Sequence, residues 1–235
     1  MDNKKLDLIN KFMNGKYKIT NLKKNNYNYS YYILANNELK ELHINRLFYN
    51  DVIKILSKSK YNDVFMDMMK NIRAELLYKS SGHGINHNIR VALFSLIICI
   101  NENIPLNDFK IIIDGAKYHD IGRENDLTDD YHGMRSAMKM DFLKSKYSEE
   151  ELNNLKTIVT CHSLDDEKFD SVAKKYKIKD IDRCRKMLNV LKDSDALDRI
   201  RLEDPYIKID LMRTKTSKKL IPFAYEMFET IKNEI

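Results

Sequence analysis

Five of the six histidines lie between positions 83 and 162: His83, His87, His119, His132 and His162. Several of them, and two aspartates, sit where an apolar helical stripe begins or ends. Phe109, Ile113 and Ala116 lead to Asp120, with His119 beside it. Leu152, Leu155 and Val159 lead to His162, and Ile181, Cys184, Leu188 and Leu191 lead to Asp195. A fourth stripe starts from His87 and continues through Val91, Phe94 and Ile98. The alternating three–four spacing is that of a core-facing helix seam. An imidazole or carboxylate on such a seam costs several kcal/mol, of order 3–5, unless something compensates it. One histidine ending a helix is more often a hydrogen-bonded core residue. Four stripes that all carry such a group instead predict convergence on one charge, and a divalent cation is the economical candidate. A mixed imidazole–carboxylate set suits Mn, Fe, Co, Ni or Zn, whereas Mg prefers more oxygen.

The elements that must position these groups read as helices. Beyond about residue 45 the hydrophobic period is helical, predicting helices near 47–58, 62–79, 86–102, 106–120, 132–145, 148–162, 180–196 and 215–233. The chain has no tryptophan, three prolines and six glycines, which suits long helices better than many short strands. Residues 163–179 read as a looser connection. The segment 17–44, rich in Tyr and Asn, predicts a small β-hairpin or meander with strands near 17–22, 27–34 and 39–44, although 39–58 also reads as helical. The expected fold class is therefore all-α, with that possible β element in the N-terminal region. The expected division is a basic extension over 1–80 and a helical metal-binding domain over 81–235.

Charge and cysteine usage narrow the setting. The net charge of +6 is concentrated in residues 1–80, which hold 15 Lys/Arg against 8 Asp/Glu. Such a segment attracts anionic partners, nucleic acid among them, or is simply a lysine-rich solvated surface. The longest apolar run, Val91 to Ile100, is about half of what crossing a bilayer takes, so no membrane partner is expected. The start, MDNKKLDLINKF, lacks the apolar core of a signal peptide. Cys99, Cys161 and Cys184 fall within helical patterns, as expected of reduced core thiols. A cytoplasmic location is the default expectation.

In order along the chain, HNIRV at 87–91, YHDIGRE at 118–124 and DALDRIR at 195–201 resemble the motifs of the HD superfamily of metal-dependent phosphohydrolases. The resemblance spans roughly 82–202, and residues 1–80 show none. It implies an HD-type helical bundle in which His87, His119, Asp120 and Asp195 ligate the principal ion. Asp193 falls off the apolar stripe, and it or Asp198 is expected to cap or orient neighbours. In members with two ions, two more histidines complete a second site, and His132 and His162 stand where those would be, with Asp120 bridging. His162 ends an apolar stripe. His132 does not, because its helix is expected to bury Met134, Ala137 and Met138, so it reads as a ligand, a phosphate contact or a surface residue.

The implied chemistry is attack on phosphorus by a metal-activated hydroxide. Arg123 is expected to neutralise phosphoryl charge beside Asp120, and Glu124 to act as general acid or base. His83, Arg90, Lys192 and Arg199 are candidate phosphate contacts. The expected substrate is a phosphorylated small molecule, a nucleotide or cyclic-nucleotide-like ester, with one or two divalent ions as cofactor. Two alternatives remain: a metal-dependent nuclease guided by the basic N-terminal region, and a metal-bound sensor or interaction module without turnover.

Overall fold

The computed structural model describes residues 1, 3–16, 45–202 and 207–231. The described residues form ten α-helices and short 3-10 turns, with no strand among them, as the helical period predicts. The strands expected within 17–44 lie outside the described residues.

In chain order the helices are α1 (Asn3–Met13), α2 (Tyr49–Leu56), α3 (Asn62–Lys70), α4 (Ile85–Asn101), α5 (Leu106–Tyr118), α6 (His132–Met138), α7 (Glu149–Cys161), α8 (Phe169–Lys175), α9 (Ile181–Leu197) and α10 (Lys215–Ile231). Helix α4 is central. Every residue from His87 to Cys99 is buried, which its all-round apolar sequence requires. It packs on α5, α9, α2 and α10, while α7 closes the far side of α5 and α9. One core runs through the whole, joining Phe12, Val52 and Phe65 to Phe94, Phe109 and Phe223. Removing a ring such as Phe94, which has no exposed surface, is expected to cost about 3–5 kcal/mol.

Local sequence sets the helix ends. Ser148 opens α7 with a capping box: its hydroxyl accepts from the Glu151 N–H at 3.3 Å, and the Glu151 carboxylate accepts from the Ser148 N–H at 2.9 Å. Asp180 caps α9 by accepting from the Arg183 N–H at 3.0 Å. Asp193 accepts from the N–H groups of Arg213 and Thr214 and from the Ser217 hydroxyl, and so fixes the entry to α10 from α9. Among the described residues no helix is long and apolar enough to cross a membrane.

Three sequence expectations change. The helix expected over 62–79 stops at Lys70, where the Asn71 side-chain amide donates to the Asp67 carbonyl, and a 3-10 turn follows at Ala74–Leu76. The connection expected over 163–179 contains α8, which buries Phe169 and Ala173. Helix α1 was not anticipated, although Leu8, Ile9, Phe12 and Met13 make its buried stripe.

Candidate metal centre

Four imidazoles converge from four helices, and each is aimed by a partner on its outer nitrogen. Helices α5 and α7 end on His119 and His162, whose Nδ1 atoms lie 2.9 Å from the Ala116 carbonyl and 2.6 Å from the Val159 carbonyl. These carbonyls belong to the last helical turns, where backbone acceptors lack intrahelical donors. His132, at the start of α6, places Nδ1 against the Asp129 carbonyl. His87, in the first turn of α4, places Nδ1 2.7 Å from the Asp198 carboxylate. A carbonyl can only accept, so for the three backbone-bound rings Nδ1 carries the hydrogen and Nε2 offers a lone pair.

Those Nε2 atoms face one another, His87 to His119 at 3.1 Å and His132 to His162 at 2.8 Å. Burial pushes the His119 pKa down to about 3, so a proton is a poor mediator there. Asp120 divides its two oxygens between the pairs. Its Oδ2 lies 3.6 Å from both His87 and His119, and its Oδ1 lies 3.1 Å from His132 and 3.8 Å from His162. Asp195 Oδ1 adds to the first pair, 3.3 Å from His87 and 3.9 Å from His119. Ligands each about 2.1 Å from one ion lie roughly 3–3.5 Å apart, and the distances here, 2.8 to 3.9 Å, bracket that spacing.

The electrostatics agree. Burial would push the Asp120 carboxyl up, but the surrounding imidazoles, His119 first, hold it well below the usual range. Burial would likewise raise Asp195, and His87 outweighs it. Asp120 is only 1% exposed, yet its Oδ2 has no hydrogen-bond partner. Lone pairs face to face, two ionised carboxylates and an orphaned buried oxygen fit added positive charge. These His/Asp groups could hold a metal ion, and Asp120 stands between two such clusters.

Behind this shell, Asp198 receives His87 on one side and, on the other, the Arg90 guanidinium, with Nε at 2.6 Å and Nη2 at 3.0 Å. Burial raises the Asp198 carboxyl, but Arg90 foremost brings it down to about 2. Arg90 is thereby committed to Asp198 and does not line the neighbouring cleft, so its expected role as a phosphate contact is corrected to one of orienting His87 through Asp198. Glu124 is also displaced from the site: its side chain is 73% exposed, 3.7 Å from Arg135, and it too is absent from the cleft.

The structure also shifts the predicted face of α6: Ala137 is buried as expected and Met134 half-buried, but Met138 is not buried. His132 is buried with Gly133, Ser136 and Ala137, while Met138 is 69% exposed. Small residues decide this. A Cβ at Gly133 would come within 2.5 Å of the Val159 carbonyl, and one at Gly122 within 2.3 Å of the Ser136 nitrogen. Gly122 therefore serves close approach: its N–H donates to the Ser136 hydroxyl at 2.8 Å, and its carbonyl accepts from Arg135 at 2.9 Å. The small residues Gly133, Ser136 and Ala137, spaced to share one helix face, were the available signal, and a hydrophobicity pattern overlooks it.

Asp195, a third of whose side chain is exposed, opens onto a cleft of about 540 Å³. His83, Lys192 and Arg199 line it, as does Arg123, whose Nε donates to Asp120 Oδ1 at 3.0 Å. Arg201, Lys208 and Arg213 join them, giving six Lys/Arg against one carboxylate. Arg201 and Lys208 were not legible as site residues, since Arg201 ends the 3-10 turn after the last ligand and Lys208 lies beyond it, on no apolar stripe. Asp166 ties Lys192 at 2.5 Å to Arg213 at 3.0 Å. Asp126 holds His83 Nδ1 at 2.9 Å and accepts from Ser80 at 2.6 Å. In comparisons with known proteins, no family model, curated protein or solved structure matched this chain.

Proposed function

We propose that the protein is a metal-dependent phosphohydrolase of the HD type, acting on a phosphate ester of a nucleotide or a similar small molecule. The observation that carries this reading is the division of Asp120, whose two oxygens face two adjoining imidazole pairs beside a cleft rich in cations. His87, His119, Asp120 and Asp195 would hold one divalent ion, and Asp120, His132 and His162 a second. The nitrogen-rich set favours Mn, Fe, Co or Ni over Mg. Bound there, a divalent ion would supply Lewis acidity, acidifying water and polarising a phosphoryl oxygen.

The chain's own residues account for the remaining requirements. Arg123 lines the cleft while bound to Asp120, so its guanidinium sits beside both the ligand shell and an incoming phosphoryl group. Lys192 and Arg213 are pre-oriented by Asp166 and add positive charge without a reorganisation cost. Arg199 and Lys208 form no ion pair among the described residues and are available to a more distant anionic group of the substrate. His83 keeps Nε2 for the cleft because Asp126 occupies its Nδ1.

The test is elemental analysis of freshly purified protein, followed by a phosphate-release screen over nucleotides with Mn, Mg, Co and Ni. The expected result is bound transition metal and metal-dependent release that disappears in Asp195→Ala. A folded wild-type chain that binds no metal would overturn the reading.

A further inference from the structure

On another face of α5 lies a second, larger cleft of about 870 Å³. Helix α3, helix α5 and the chain from Phe142 to Glu151 line it. Its floor is an ionic cluster built around Asp114, which has no exposed surface. Asp114 Oδ1 accepts from Lys117 at 2.8 Å, and Oδ2 accepts from Lys146 at 2.5 Å and from the Tyr147 hydroxyl at 2.7 Å.

Two features of this floor go beyond a closed salt bridge. One carboxylate faces two ammonium groups, which leaves a net positive charge. Lys117, moreover, is only 2% exposed and makes one hydrogen bond among the described residues, to Asp114, its ammonium lying 4.9 Å from the centre of the Tyr118 ring, so two of its three N–H donors have no oxygen or nitrogen acceptor there. Beside it, the buried Tyr118 hydroxyl accepts from the Arg73 N–H at 3.0 Å and shows no acceptor for its own hydrogen among the described residues. A buried ammonium with unmet donors favours an anionic acceptor from outside. Above the floor the walls are apolar and aromatic: Met68, Leu143 and Phe142, whose ring meets Tyr118 edge-on at 5.1 Å. The rim bears Asp63, Asp67 and Glu151 beside Arg73 and Lys110, so the lining as a whole carries no net charge and holds no surplus for a polyanion.

We propose that this cleft binds a small organic monoanion, a carboxylate on a planar apolar body, with the carboxylate on Lys117 and the body against Phe142 and Met68. Its occupant is coupled to the metal centre through the last turn of α5. Lys117 and Tyr118 line this cleft, His119 and Asp120 follow directly, and the Ala116 carbonyl holds the His119 ring. The coupling rests on the metal-centre reading; the binding does not.

Methionine methyl resonances distinguish the two clefts, because Met68 lines this one and Met212 lines the cationic one. The full chain, labelled with ¹³C-methyl methionine and freed of metal with chelator, is titrated with benzoate and, separately, with neutral benzamide. Benzoate is expected to shift the Met68 resonance saturably, with Met212 unmoved and benzamide without effect. In Lys117→Gln the Met68 response is expected to vanish while the other methyl resonances stay in place. No Met68 response up to the solubility limit of benzoate, or an equal response to benzamide, overturns the site, and neither outcome depends on how the variant folds. Manganese affinity is then measured with and without saturating benzoate, with an expected change of roughly fivefold or more. An unchanged affinity removes the coupling. A chain that binds no manganese removes the metal-centre reading and the coupling with it, while the Met68 result still decides the site.

Discussion

Helix α5 and the turn that leaves it carry two buried carboxylates, Asp114 and Asp120, compensated in opposite ways. Around Asp114 the partners are donors, two lysines and a tyrosine, and both carboxylate oxygens are bonded. Around Asp120 one oxygen accepts from Arg123, the remaining partners are imidazoles whose outer nitrogens are engaged by other acceptors, and the other carboxylate oxygen has no hydrogen bond. The first cluster brings its own positive charge and bonds both oxygens of its acid, leaving only donors of Lys117 unmet. The second turns imidazole lone pairs toward one another and could hold a metal ion. A buried acid is thus structural or functional according to which way the hydrogens around it point.

The largest expected effect separates the two directly. Asp120→Ala is expected to lose both bound metal and phosphate release, measured by elemental analysis and turnover. Asp114→Ala is expected to retain its metal but to lose about 3–5 kcal/mol of stability in urea unfolding, because two lysines are left facing a buried gap. A full metal complement in Asp120→Ala would break the comparison.

Next in size is the support behind the imidazoles. Asp198→Asn and Arg90→Met are expected to weaken metal binding roughly 10–100-fold, read by chelator competition, since they unfix the His87 ring. Unchanged affinity in both would mean that the Asp198 contact does not orient a ligand.

Acid sharpens the contrast at Asp114. Burial raises its carboxyl, but Lys117 and Lys146 outweigh burial and lower it below the ordinary aspartate range. A depressed folded pKa contributes stability that is present above the unfolded value and lost as pH falls through the folded one. In chelator, the stability gap between wild type and Asp114→Asn is expected to be flat above about pH 4 and to narrow below it. A gap that stays constant through that range would contradict a carboxylate held ionised by its lysines.

The smallest effect belongs to the cleft rim. Arg199→Ala or Lys208→Ala is expected to raise KM by at most about fivefold, with kcat and metal content unchanged, because exposed charges are screened by water.

Much of this arrangement was legible along the chain. The stripes Phe109–Ile113–Ala116 and Leu152–Leu155–Val159 are buried as their spacing demands, and Cys184, Leu188 and Leu191 continue the pattern on α9, while Ile181 is 37% exposed. Asp120, His162 and Asp195 follow at the ends of those stripes and meet in space. Less was legible where packing depends on what is absent from a side chain. The face of α6 was misjudged because Gly133 and Ser136 win contact with α7 by being small, whereas Met138 is apolar yet points outward. Arg90 looked like a phosphate contact because it follows His87 by one helical turn, and it became part of the support when Asp198 arrived from the far end of the chain.

By itself, the sequence determined that the described chain is helical, which stripes face inward, and that histidines and aspartates end them. Periodicity is a local property, carried by residues three and four apart. Only the tertiary structure decided that Asp120 is shared between two imidazole pairs, that Arg201 and Lys208 join the cleft, and that Asp114 has both oxygens bonded while Asp120 keeps one without a partner. Those outcomes depend on which nitrogen of each ring is occupied by a distant acceptor, and no spacing along one helix encodes a partner supplied by another.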